Sequence, residues 1–182
     1  VKLLEFGRHA AAGMVAASLA TVSFAAPAGA FVNEIRGGVY AHDQFGPAHE
    51  PENADINGEI LFDSPDFLSW MFSPRPRFGG TMSGNGGTSI VYMDLGWTID
   101  LGTKFFIDGS VGGAWHDGRV HGSVEGENQY GCRFNFHESG SIGYRITSAL
   151  SVMASIEHIS NAWLCSANDG LTNVGMRIGY RF

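Results

Sequence analysis

The chain has 182 residues, a length suited to one domain, with 26 glycines, 16% charged residues and 12% aromatic residues. Its net charge of -7 argues against a nucleic-acid partner, which would call for a basic patch. A mean hydropathy of -0.01 excludes a helical membrane protein, while the charge content is below that of ordinary soluble domains; strands alternating apolar and polar residues reconcile the two.

Residues 1–30 read as a secretory signal peptide. Lys2 and Arg8 supply a positive start, Ala10 to Ala26 an apolar small-residue run, and Ala28-Gly29-Ala30 a small-x-small cleavage pattern. A transmembrane anchor is the weaker reading, because the run is shorter than the ~20 residues a span needs. Cleavage after Ala30 leaves 31–182 as the mature domain. Export points to an oxidising compartment.

No later segment is apolar enough to span as a helix, and lipid admits only helices or closed barrels. Period-two alternation recurs instead. Ile35, Val39 and Ala41 oppose Glu34, Arg36 and His42; Ile56, Ile60 and Phe62 oppose Asn57, Glu59 and Asp63. A weaker segment covers about Pro76 to Ser83. Val91 to Ile99, Phe105 to Trp115, Phe134 to Ile146, Leu150 to Ser160 and Thr172 to Phe182 follow, each with one apolar and one polar face. These predict an all-β fold, an eight-stranded antiparallel transmembrane barrel. Leu101-Gly102 and Thr147-Ser148-Ala149 are tight turns; 42–53, 117–131 and 162–170 are longer loops, as expected on the extracellular side. Asp63 to Arg75 is long and apolar for a periplasmic turn and is expected at the membrane interface. In a membrane barrel of eight strands the polar set fills the interior, so the apolar set faces lipid. The alternative is a water-soluble barrel with the faces exchanged. A pore is disfavoured, because side chains fill so small a barrel.

On the seventh segment the outward face continues past Ile156 to His158 and Ser160. Residues i and i+2 of a strand share a face about 6.6 Å apart, within reach for an imidazole and a hydroxyl. Serine hydrolysis needs such a base, a group to orient it and donors for the oxyanion. A site at headgroup height would meet lipid esters. The bland alternative is that the hydrocarbon zone ends at Ile156. Glu138 likewise interrupts the outward row of the sixth segment. If Thr147-Ser148-Ala149 pairs Ile146 with Leu150, Glu138 falls opposite His158, where Cβ atoms lie about 5 Å apart. Glu138 is thus the candidate orienting acid; Asp169 is a loop residue and Glu157 points inward. Asn161, Asn168, Gly170 and nearby backbone N–H groups are candidates for oxyanion binding or site support. Asn-Asp-Gly is also an ordinary turn sequence.

Cys132 and Cys165 both fall at the extracellular end, which makes a disulfide across two loops the favoured expectation over free thiols. No Cys/His spacing suggests a metal, and His116, His121 and His137 are scattered.

His158-Ile159-Ser160-Asn161-Ala162, followed by Asn168-Asp169-Gly170, resembles the active-site stretch of PagL-type lipid A 3-O-deacylases. The resemblance implies an eight-stranded outer-membrane barrel that hydrolyses the 3-position ester of lipid A and releases a 3-hydroxy fatty acid. It implies His158 as base, Ser160 as nucleophile, lipid A or lipopolysaccharide as substrate, and no metal or cofactor; the sequence leaves monomer and homodimer both open. The sequence departs at two positions: Thr172 stands where the family has its triad Glu, and Trp163 where it often has Gly. Thr172 is therefore the second candidate partner of His158. A non-catalytic barrel that has lost the triad acid is the competing expectation.

Overall fold

The computed structural model describes residues 32–46 and 49–182; the expected signal peptide lies outside the described residues. Eight strands run in chain order: β1 (Val32–Ala41), β2 (Ala54–Phe62), β3 (Arg75–Ser83), β4 (Ile90–Leu101), β5 (Phe105–His116), β6 (Phe134–Arg145), β7 (Leu150–Ser160) and β8 (Leu171–Arg181). Each pairs antiparallel with the next, and β1 closes on β8 (Ile35 opposite Tyr180), giving a closed barrel. Closure removes every unpaired sheet edge, which a lipid environment requires.

The faces divide as the alternation predicts. Ile35, Val39, Ile56, Ile60, Phe78, Met93, Ile107, Ile142, Met176 and Ile178 are exposed on the outer wall. Glu34, Arg36, Glu59, Arg77, Asp94, Asp108, His137, Glu157 and Arg177 are buried inside. This is the membrane-barrel arrangement, the reverse of a water-soluble one. The interior charges neutralise one another. Asp108 accepts two hydrogen bonds from Arg77, at 2.7 and 2.8 Å, and two from Arg36, at 2.9 and 3.3 Å. Arg36 also pairs with Glu34 at 2.7 Å, and His137 with Asp94 at 2.8 Å. Leaving any one of these buried ions unpaired would cost several kcal/mol, on the order of 3–5. Interior glycines make room for them: a Cβ on Gly96 would collide with the Arg77 guanidinium.

Long connections (42–53, 84–89, 117–133, 161–170) gather at one end and short ones (102–104, 146–149) at the other. The 63–74 connection is the exception at the short end. It carries a 3-10 turn, Asp66–Met71, whose neighbour Phe72 is 91% exposed, together with exposed Phe67 and Trp70. The Trp97 indole N–H donates to Met71 O at 2.8 Å and ties this apolar turn to the outer wall. At the β6–β7 hairpin, the N–H of Ile146 donates to Leu150 O at 2.9 Å, and Thr147 Oγ1 accepts the N–H of Leu150 at 2.9 Å. That turn sets the register of the two strands carrying the candidate site.

Candidate active site

One transverse row of the outer wall reads Val111, Glu138, His158, Thr172 across β5, β6, β7 and β8. His158 is thus flanked on one side by Glu138 and on the other by Thr172. Its Nδ1 is hydrogen-bonded to Thr172 Oγ1 at 2.8 Å. Glu138 stands directly opposite, where the hairpin register predicts it, but it is exposed and makes no hydrogen bond or ion pair with His158 among the described residues. Between the two candidate orienting groups, Thr172 makes the contact and Glu138 supplies the only carboxylate of the row.

Ser160 lies one step further toward the long loops, paired with Phe136. Its hydroxyl makes no hydrogen bond to His158; such contacts are often long in a free enzyme and tighten with substrate. The far edge of the imidazole faces Gly170. A Cβ there would sit 3.1 Å from His158 Cε1 and 3.6 Å from Nε2. Because Ile159 pairs with Leu171, Gly170 is beside Ser160, so the Cε1–Nε2 edge of the ring lies on the side of Gly170 and Ser160. Gly170 also has a φ of 74°, a left-handed conformation that favours glycine. The lack of a side chain at Gly170 leaves room for the His158 ring.

The 161–170 loop is built around Asn161. Its Nδ2 donates to the carbonyls of Tyr130 and Ala167, its Oδ1 accepts the N–H of Cys165 at 3.4 Å, and its own N–H donates to Asn168 Oδ1 at 2.7 Å. Both amide hydrogens of Asn161 are committed to carbonyls, which favours loop support over oxyanion binding between the two roles expected of its side chain. Among the described residues Asn168 uses only Oδ1, which leaves its Nδ2 uncommitted there. The N–H of Leu164 returns to Asn161 O at 3.0 Å and closes a tight turn in which Ala162 and Trp163 both have positive φ, 52° and 63°. That is a type I′ geometry, natural for glycine and costing other residues roughly 1–2 kcal/mol each. A glycine at position 163 would fit without strain. Cys132 and Cys165 are joined in a disulfide, with Cα atoms 5.8 Å apart, which ties this loop to the start of β6. Asp169 accepts the N–H of Gln129 at 2.7 Å, and Glu157 points inward to Asn173 at 2.9 Å, so neither acid faces His158.

The remaining long loops brace this end of the barrel through contacts that no sequence motif signals. Gln44 N–H donates to Thr172 O at 2.7 Å, and Asn128 Nδ2 to Gly170 O at 3.0 Å. Beneath them Glu50 accepts hydrogen bonds from Thr88 Oγ1 at 2.6 Å, Tyr130 at 2.9 Å and His42 at 3.0 Å. Burial alone would raise the Glu50 pKa, but the hydrogen bonds from His42, Thr88 and Tyr130 outweigh it and hold the carboxyl down at about 2. Burial likewise works against a charged His42, yet Asp55 and Glu50 on its two ring nitrogens push it up to about 9. A cavity of 770 Å³ opens between the 84–89 and 117–133 loops and includes none of the row residues. Among the described residues, no three His, Cys, Asp or Glu side chains are grouped to hold a metal ion.

A family model described as "Lipid A 3-O-deacylase (PagL)" matches residues 79–181, more than half the chain and all of the candidate site. No curated protein matches the chain. Among solved structures, the crystal structure of the outer membrane enzyme PagL aligns with a TM-score of 0.62 at 19% identity, covering 82% of this chain and 99% of that one. Neisserial surface protein A aligns with a TM-score of 0.54 at 10% identity, covering 83% and 96%, and a de novo designed transmembrane β-barrel with 0.52 at 10%, covering 82% and 95%. At these identities the structural likeness is one of fold.

Proposed function

The chain belongs to the lipid A 3-O-deacylase (PagL) family and folds as an outer-membrane barrel, and from this we propose that it is a serine hydrolase acting on the 3-linked 3-hydroxyacyl ester of lipid A. The observation that carries the reading is the hydrogen-bonded pair His158 Nδ1–Thr172 Oγ1, at 2.8 Å on the lipid-facing wall, one step from Ser160.

The chemistry follows from the donor arrangement. His158 in its Nδ1–H tautomer donates to Thr172 Oγ1, which leaves the Nε2 lone pair free on the Ser160 side. Nε2 takes the hydroxyl proton as Ser160 Oγ attacks the ester carbonyl. Asn168 Nδ2 and the backbone N–H of Ala162 receive the oxyanion. The imidazolium then protonates the departing sugar 3-oxygen, and an acyl-serine remains. Water, deprotonated by His158, cleaves that ester, frees the 3-hydroxy fatty acid and restores Ser160. Thr172 fixes the tautomer but carries no charge to stabilise the imidazolium. Glu138 supplies that charge across the row, about 5 Å between Cβ atoms. A wall-mounted site suits a substrate whose acyl chains already lie in the membrane.

Mass spectrometry of lipid A from cells expressing the wild type or Ser160→Ala tests the assignment. The wild type is expected to remove one 3-hydroxyacyl chain and the variant none. The second reading is a non-catalytic barrel, favoured by Thr172 in place of a carboxylate; identical lipid A profiles from the two strains would establish it.

A further inference from the structure

Resting on the assignment of Ser160 as nucleophile, we propose that Trp163 is a substrate-positioning residue whose indole packs on the sugar ring bearing the scissile ester. Three observations carry this. Trp163 holds a left-handed φ of 63° where glycine would be unstrained. Its side chain is 76% exposed and Leu164 beside it 75%, so packing within the protein does not offset the strain. Its position is nevertheless fixed: the turn is closed by Leu164 N–H to Asn161 O, Asn161 is anchored to Tyr130 and Ala167, and the Cys132–Cys165 disulfide locks the next residues. A strained, rigidly held, solvent-facing aromatic contributes nothing to stability, and strain of this kind persists where function requires it.

The covalent structure of the substrate selects the partner. A 3-linked ester oxygen is bonded directly to a ring carbon, so when Ser160 reaches the carbonyl the sugar must sit within a few bonds of it, at headgroup height. The 161–164 turn starts at the residue after Ser160 and is closed by Leu164 N–H to Asn161 O, so Trp163 lies three residues from Ser160 at the same end of the barrel. The C–H face of a pyranose is apolar, and an indole offers a flat apolar face with a polar N–H edge suited to the membrane interface.

The test uses the full chain in detergent micelles with Trp163→Gly, Trp163→Phe and Trp163→Leu, assayed on purified lipid A and on a short water-soluble ester that lacks a sugar. Trp163→Gly is expected to raise KM for lipid A about tenfold, with a much smaller change in kcat and in the soluble-ester KM. Trp163→Phe retains most of the affinity and Trp163→Leu does not. An unchanged lipid A KM in Trp163→Gly overturns the proposal. So does an equal rise for both substrates, which marks a distorted turn, or equivalence of Leu and Phe, which marks a general lipid contact. Lipid A binding to Ser160→Ala, with and without Trp163→Phe, is followed by tryptophan fluorescence and read against phospholipid micelles. A wild type that releases no fatty acid defeats the hydrolase reading, while this titration still decides the role of Trp163.

Discussion

Replacing Thr172 by Glu should accelerate the enzyme, because it returns a charge to the one position that already contacts His158 Nδ1. Oγ1 lies 2.8 Å from Nδ1, and Thr172 is 7% exposed beneath the 42–46 segment. A carboxylate there would sit about 4 Å from the imidazolium centre, where unit charges attract by about 1 kcal/mol in water and about 4 kcal/mol at the effective dielectric of a partly buried site. All of that attraction appears only once the imidazole is protonated, so it lowers the transition state rather than the ground state. At roughly 1.4 kcal/mol per factor of ten, the limits are about fivefold and nearly a thousandfold, and a half-buried row should give on the order of a hundredfold. The assay is release of 3-hydroxy fatty acid from lipid A by purified protein in micelles. Thr172→Gln serves as the neutral control of the same length, and Thr172→Ala as the variant without a hydrogen bond. Equal rates for Glu and Gln would show that charge at this position is irrelevant. A Glu variant as inactive as Ser160→Ala, beside an active wild type, would mean that His158 is not the base.

Glu138→Gln should lower kcat about tenfold or more in the wild-type background and much less in Thr172→Glu, a coupling that a double-mutant cycle of kcat/KM measures directly. Breaking the Cys132–Cys165 bond with serine substitutions opens a 33-residue loop, worth about 3–4 kcal/mol by chain entropy; the melting temperature should fall and the deacylation rate with it. The pH dependence of the loop bracing has a defined sign. Glu50, held at about 2, contributes stability above the ordinary glutamate value of 4.5 and loses it as pH falls from there through 2. His42, raised to about 9, contributes fully below 6.5 and loses its contribution as pH rises through 9. Limited proteolysis of the long loops should therefore be slowest between these windows, at pH 4.5 to 6.5, and a flat profile would contradict the bracing role.

The barrel was legible because lipid outside and paired charges inside impose a strict period of two on every strand. Ile35, Val39 and Ile56 could only be outer residues once Arg36, Asn57 and Glu59 were inner ones. The hairpin at Thr147 made even the Glu138–His158 pairing readable, since a turn of known length fixes every cross-strand partner beyond it. Loop chemistry was not legible. Nothing local shows that Asn161 spends its amide on Tyr130 and Ala167, because those partners are set by how two loops fold over each other. The Ala162–Trp163 turn carries no glycine or asparagine at the positions that need positive φ, so the usual turn signal is missing. The Glu50–Tyr130 contact spans 80 residues and belongs to tertiary structure alone.

A strand offers a catalytic histidine something a loop does not: two equivalent cross-strand neighbours on the same face. For His158 on β7 these are Thr172, which its imidazole contacts, and Glu138 on the other flank. In a triad the third residue does two jobs, fixing the tautomer through a hydrogen bond and stabilising the cation through charge. The first requires contact, and under the proposed mechanism it falls to Thr172, which holds the hydrogen bond to Nδ1. The second decays only gradually with distance in a partly desolvated row and can be met from the other flank, where Glu138 has no competing partner among the described residues. Splitting the two jobs predicts a specific pattern of damage. Thr172→Ala should harm orientation, lowering kcat without altering the salt dependence of the rate. Glu138→Gln should remove the charge, abolishing the salt sensitivity that a long-range carboxylate confers. If both variants responded to salt alike, one residue would be performing both roles, and the wall would hold an ordinary triad rather than a divided one.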